Sequence, residues 1–120
     1  MSGSPSTPAL EMITRVRGVR GAMLVSAEDG LVVAEQLMEG IKGGAVAALA
    51  ASLSGRLRRA MEAAGTGTSV FWHLQAEQGA LLVVPGGDAS TVILVVAVTE
   101  PDVNIGLVRL ELLKVAEKVL

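Results

Sequence analysis

The chain has 120 residues, one domain by length, and a formal net charge of −2 with a pI near 5.3, so it carries no electrostatic footprint for nucleic acid. One Trp, one Phe and no Tyr leave no stacking platform for single strands, and the absence of Cys excludes a disulfide frame and thiolate chemistry. Hydrophobic residues make up 51% and mean hydropathy is +0.56, yet no apolar run, Val92 to Val98 included, approaches the ~20 residues of a membrane span, so the excess points to surface buried against another subunit.

The N-terminal MSGSPSTPALEM has neither a basic n-region nor an apolar h-region, so it does not read as a signal peptide, and a cytoplasmic setting is expected. Residues 1–6, small and polar, are expected to form a disordered lead, with residues 7–120 making one domain. Thr7-Pro8 supplies an N-cap followed by proline at the first helical position. That helix should reach about Val16, with Leu10, Ile13 and Val16 inward, and stop at Gly18 and Gly21.

Two apolar runs, Ala22–Val25 and Leu31–Ala34, flank Ser26–Gly30, a loop ending in Asp29-Gly30. This is a hairpin pattern, because Asp-Gly supplies the positive φ of the turn. Glu28 and Asp29 alone fall short of the ligand count that Ca²⁺ requires. Residues Leu37 to Gly44 then connect to a helix through Gly40, Gly43 and Gly44. No Gly-Lys-Ser/Thr follows these glycines, so they are a connection and not a phosphate loop.

From Gly43 to Ala64 the sequence GGAVAALAASLSGRLRRAMEAA reads as a helix with two faces. At 100° per residue Val46, Leu49, Leu53, Leu57 and Ala60 share an apolar stripe that should face the core, with Met61 at its border. The second face holds Ala48, Ser52, Gly55 and Arg59, with Ala45 and Ala51 beside them. A solvated face would carry Lys and Glu, whereas small residues admit another backbone. Gly55, which costs ~1 kcal/mol relative to Ala in mid-helix, supports that reading. This helix is expected to be buried on both sides, the second side being a subunit contact.

Gly65-Thr66-Gly67 should end the helix, and three strands should follow. Ser69–Gln75 alternates, with Val70, Trp72 and Leu74 on one face and Phe71, His73 and Gln75 on the other. Glu77-Gln78-Gly79 turns into Ala80–Val84, and Pro85-Gly86-Gly87-Asp88 turns into Thr91–Thr99. These last two strands are apolar on both faces and so should be covered on both. After the loop Glu100–Asn104, with Asn104 as N-cap, a final helix places Ile105, Val108, Leu112, Val115 and Val119 on one stripe. Arg109, Glu111, Lys114, Glu117 and Lys118 fall largely elsewhere, the lysines suiting the helix dipole. The order α-β-β-α-β-β-β-α describes an α+β fold, a three-layer α/β/α sandwich around a five-stranded antiparallel sheet.

With these residues in this order, the chain resembles the roadblock/LC7 family. GVRGAMLVSAEDGLVVAE resembles its first hairpin, GGAVAALAASLSGRLRRAMEAAG its Ala/Ser-rich central helix, and DVNIGLVRLELLKVAEKVL its closing signature, together spanning about Val16 to Leu120. The resemblance implies a homodimer, or a heterodimer of relatives, with central helices side by side and third strands paired across the two-fold. It implies a dimer interface drawn from Ala48, Ala51, Ser52, Gly55, Arg59, Val70 and Trp72. It further implies a small Ras-like GTPase as partner, since bacterial members of the MglB type regulate such GTPases and eukaryotic relatives are dynein light chains and scaffold subunits. Arg56, Arg59 and Glu62 would then face that partner. The chain ends at Leu120, without the C-terminal extension that some MglB-type members carry, so the dimeric platform is implied more directly than GTPase activation.

No catalytic motif emerges. His73 is the only histidine and has no Ser or Cys nucleophile spaced to use it. Glu28, Asp29, Glu77, Asp88 and Asp102 sit on separate turns. Arg56, Arg58 and Arg59 form a basic cluster that suits the last turns of a helix, and an arginine finger would instead sit on a mobile loop. Trp72 is either a core residue or an interface anchor. The expected function is a non-enzymatic homodimeric platform for a GTPase, without cofactor, metal, nucleic acid or membrane insertion. The alternatives are a small-molecule sensor and a dimerisation module with no GTPase partner.

Overall fold

The computed structural model describes residues 6–88 and 90–118. In chain order these form α1 (Ser6–Thr14), β1 (Val19–Ser26), β2 (Val32–Leu37), α2 (Gly43–Ala64), β3 (Trp72–Ala76), β4 (Gly79–Gly87), β5 (Val92–Thr99) and α3 (Ile105–Lys118). Helix α1 begins at Ser6, so Thr7, expected as its N-cap, lies inside it; the expected lead at residues 1–5 falls outside the described residues. It ends two residues before Val16, which follows in the turn and still packs against the core.

The sheet is antiparallel throughout, in the order β2-β1-β5-β4-β3. The β1–β2 hairpin closes as its Asp-Gly pair demands: Gly30 takes φ +74°, and Asp29 Oδ1 accepts the Leu31 N–H at 3.1 Å. Beyond the turn Leu24 pairs with Ala34 but Val25 with Val32, which leaves Val33 as an extra residue. Such a bulge twists an edge strand and blunts it against pairing with other chains.

Alternation sorts the side chains into two cores. Ala22 and Leu24 of β1, Ala80, Leu82 and Val84 of β4, and Val95 and Ala97 of β5 meet Leu10 and Ile13 of α1 and Val108, Leu112 and Val115 of α3. Met23, Val25, Val83, Leu94 and Val96 point the other way, toward Ala47 and Ala50 of α2. Two helices cover one face and one helix the other, so strands β4 and β5 are apolar on both sides.

Expected boundaries also move at β4 and β3. Pro85-Gly86-Gly87 is not a turn but the end of β4, with Pro85 paired to Leu94, Gly86 to Ile93 and Gly87 to Val92. The turn is Asp88–Thr91, closed by reciprocal backbone hydrogen bonds of 3.2 Å between those two residues. Proline is tolerated there because pairing between β3 and β4 stops at Trp72 and Val83, so no further rung needs its missing N–H. Ser69–Phe71, expected as strand, is irregular and precedes the first β3–β4 pair.

Both long helices carry recognisable caps. Gly65, at φ +73°, ends α2 with its N–H donated to the Glu62 carbonyl and that of Thr66 to Met61, a Schellman arrangement. Asn104 Oδ1 accepts the Leu107 N–H at 3.0 Å, as expected of an N-cap. Glu111, expected away from the core stripe, is buried and accepts Lys114 Nζ at 3.3 Å, while Val119 lies outside the described residues.

Candidate interaction surface

Helix α2 occupies the residues expected of it but is rotated about its axis from the expected orientation. Its buried positions are Ala47 and Ala50, flanked by half-buried Val46, Ala51, Leu53 and Leu57. Leu49, expected to face the core, is 71% exposed. The physical reason is that small side chains let the helix backbone sit close to the sheet, while larger ones wedge in on either side. Gly43, Ala47, Ala50 and Ser54 form the small stripe that could have signalled this orientation.

Part of the second small face is used within the chain. A Cβ placed on Gly30 would lie 3.2 Å from the Ala48 Cα and 3.6 Å from the Ala51 Cβ, so the β1–β2 turn is the backbone that approaches there. Ala51 packs against the α2-side core. Ser52, Arg56 and Arg59 remain exposed together with Leu49, and Gly55 is half-buried with nothing within 4 Å of a Cβ built on it. A helix face with exposed Leu49 among small residues is apolar surface with no partner among the described residues.

The second component is the edge strand β3. Helix α2 packs chiefly over β1 and β2, so the same sheet face toward β3 is thinly covered. Leu74 is 43% exposed there, and Val70, just before the strand, is 66% exposed. Trp72 differs from these neighbours: it is buried in the α2-side core, which makes it a core residue of its own chain, and its indole N–H has no acceptor among the described residues. Phe71 faces the opposite layer, with Arg109 of α3 stacked 5.3 Å from its ring centre.

Arg56, Arg58, Arg59 and Glu62 are all exposed on the C-terminal half of α2. The described residues hold one ion pair, Lys114 with Glu111, so none of these four has an ionic partner among them. His73 is exposed on β3, its Nε2 2.8 Å from Gln75 Oε1, and Gln75 donates in turn to the Pro101 carbonyl at 3.1 Å. Asp88 is engaged by its own turn, its Oδ1 accepting from Ser90 N, Ser90 Oγ and Thr91 N at 2.8 to 2.9 Å. The Ser90 hydroxyl first, then the two N–H groups, hold its carboxyl below the usual range. Among the described residues no three His, Asp or Glu side chains gather where a metal could sit.

A model of the Roadblock/LC7 domain matches residues 9–97. The chain belongs to the roadblock/LC7 family. It is 33% identical over 107 residues to the protein MJ1340 of Methanocaldococcus jannaschii, spanning 89% of this chain and 90% of that one. Among solved structures, an MglB with tetrameric arrangement superposes with a TM-score of 0.86 at 24% identity, covering 99% of this chain and 90% of the other. The gliding protein MglB of Thermus thermophilus gives 0.82 at 22% identity, covering 98% and 89%. At these identities the likeness to MglB is one of fold. The roadblock/LC7 order of elements, the antiparallel sheet and the three layers agree with the reading of the sequence.

Proposed function

We propose that this roadblock/LC7 chain is a non-enzymatic, cytoplasmic homodimeric platform that binds and regulates a small Ras-like GTPase. One observation carries the reading: Leu49 on the outward face of α2 and Val70 and Leu74 at the β3 edge, on the sheet face that α2 packs on, are large apolar side chains left exposed. Covering such a face with a second copy removes apolar area from water at roughly 25 cal/mol per Å². It also satisfies an otherwise open strand edge. A two-fold contact uses the same patch on both chains, which suits a patch containing its own helix and its own edge. Arg56, Arg59 and Glu62 flank this face and form the surface offered to the GTPase.

Gly55→Glu tests the self-association. Among the described residues nothing lies within 4 Å of a Cβ at this position, so a side chain can leave the helix there without a clash at its root, and circular dichroism checks that the protomer stays folded. Monomer by light scattering is the expected result, and an unchanged dimer refutes the interface. The partner is tested by capture on the immobilised chain from the native lysate, followed by GTP turnover of what is retained. A Ras-like GTPase is expected, held less well by Arg56→Glu and Arg59→Glu. Recovery of no GTPase leaves a dimerisation module. No helix among the described residues is long and apolar enough to cross a membrane.

A further inference from the structure

Two grooves meet at Arg58. The first, about 530 Å³, runs between the C-terminal half of α2, the segment Thr68–Val70, the end of β4 and α3. Its walls are largely apolar, built from Val70, Val84, Pro85, Val92, Leu113 and Ala116. The second, about 480 Å³, lies between α2 and the β1–β2 and β4–β5 turns, and its walls are polar, with Ser52, Ser54, Ser90, Arg58, Arg59 and Glu28. Ala27, Ser54, Arg58 and Val92 line both, so the two are adjoining compartments of one trough. Each falls in the size range of small-molecule sites.

Charge is distributed unevenly along it. At the polar end two guanidinium groups stand against one carboxylate, Glu28. Asp88 and Glu117 belong to the apolar compartment, and Asp88 already accepts three hydrogen bonds from its own turn. Neither Arg58 nor Arg59 has an ion-pair partner among the described residues. A bare anion would leave the apolar compartment wet, and an uncharged hydrocarbon would leave the guanidinium forks unused.

We propose that this trough binds a small amphiphile, a single alkyl chain bearing an anionic head group, with the head on Arg58 and Arg59 and the chain along the apolar walls. The planar guanidinium donates in pairs to phosphate or carboxylate oxygens, and the Ser52 and Ser54 hydroxyls add further donors, that of Ser90 being already given to Asp88. The acidic residues of the apolar compartment set the polarity of the bound molecule, since a neutral chain tolerates them and an anionic head does not. This site shares Arg59 with the surface offered to the GTPase, and Ser52, Arg59 and Val70 with the proposed self-association surface, but its apolar walls and Arg58 belong to neither.

Isothermal titration of the full chain with decyl phosphate below its micelle concentration tests the proposal, with decyl maltoside and inorganic phosphate titrated in parallel and particle size followed in the same solutions. Saturable binding of decyl phosphate is expected, with about tenfold or weaker binding of the other two, because each lacks one half of the complementarity. Arg58→Gln and Arg59→Gln should each weaken decyl phosphate about tenfold. Ser69→Phe, which brings a ring into the apolar compartment from a residue outside α2, should weaken it comparably. Circular dichroism establishes that each variant is folded, and the three-ligand comparison on the unaltered chain decides the matter even where a variant is not. Equal affinity for decyl maltoside, equal affinity for inorganic phosphate, undiminished binding by the Arg58→Gln/Arg59→Gln double variant, or no saturable binding at all would each overturn the assignment.

Discussion

Asp88 organises its turn from a fully exposed position, through hydrogen bonds that only its ionised form accepts in full. Its folded-state pKa is therefore the lower of the two states. The stabilisation is complete above the ordinary value of 3.8 and is lost as pH falls through the lower folded one. The stability difference between wild type and Asp88→Asn, read from urea midpoints, should thus be constant between about pH 5 and pH 8 and shrink below about pH 4. A difference that grows on acidification would refute this account. The sequence marks Asp88 only as part of a Pro-Gly-Gly-Asp turn, since its partners Ser90 and Thr91 become partners once β4 has run on through Gly87. Trp72 was ambiguous in the same way: alternation places it on a face, but burial depends on how much of that face α2 covers.

At the level of elements, the end of α2 and the start of α3 were legible because caps are local, whereas both ends of α1 were displaced by one or two residues. Gly65 closes α2 and Asn104 opens α3 through atoms within a few residues in sequence. Asn104→Ala should cost about 1 kcal/mol in urea unfolding, the loss of one side-chain acceptor at an N-terminus, with the fold intact by circular dichroism. The rotation of α2 was not legible. An amphipathic wheel weights large side chains toward the core and so selects Leu49, whereas packing places Ala47 and Ala50 inward and leaves Leu49 in solvent. The reach of β4 through Pro85 was hidden likewise, because a proline breaks a strand only where its N–H is needed, and here the neighbouring strand has already ended.

For the molecule as a whole, the sheet leaves two edges, β2 and β3, and protects them differently. The bulge at Val33 disturbs pairing along β2, while β3 keeps a regular register beside exposed Val70 and Leu74. Self-association is therefore expected to run through β3 and α2. Val70→Asp combined with Leu74→Lys should lower the dimer fraction in sedimentation. Both side chains are exposed in the protomer, Leu74 by 43%, so the protomer should stay folded with a loss of about 1 kcal/mol or less, measured at a concentration where wild type is monomeric. Loss of the dimer with Leu31 or Met38 variants of the opposite edge, and not with these, would place the contact on β2 instead.

The sequence by itself determined the order and kind of the elements, the hairpin at Asp29-Gly30, the caps at Gly65 and Asn104, and the two-sided burial of the last strands. Each of these rests on contacts or periodicities spanning a few residues. Only the tertiary structure decided which side of α2 faces the sheet, that the β1–β2 turn occupies Ala48 and Ala51, that Trp72 is buried, and that Arg58 lies where two grooves join. Those facts depend on distances between segments far apart in the chain, and close packing of small residues, which leaves no strong hydrophobic signal, is what sets them.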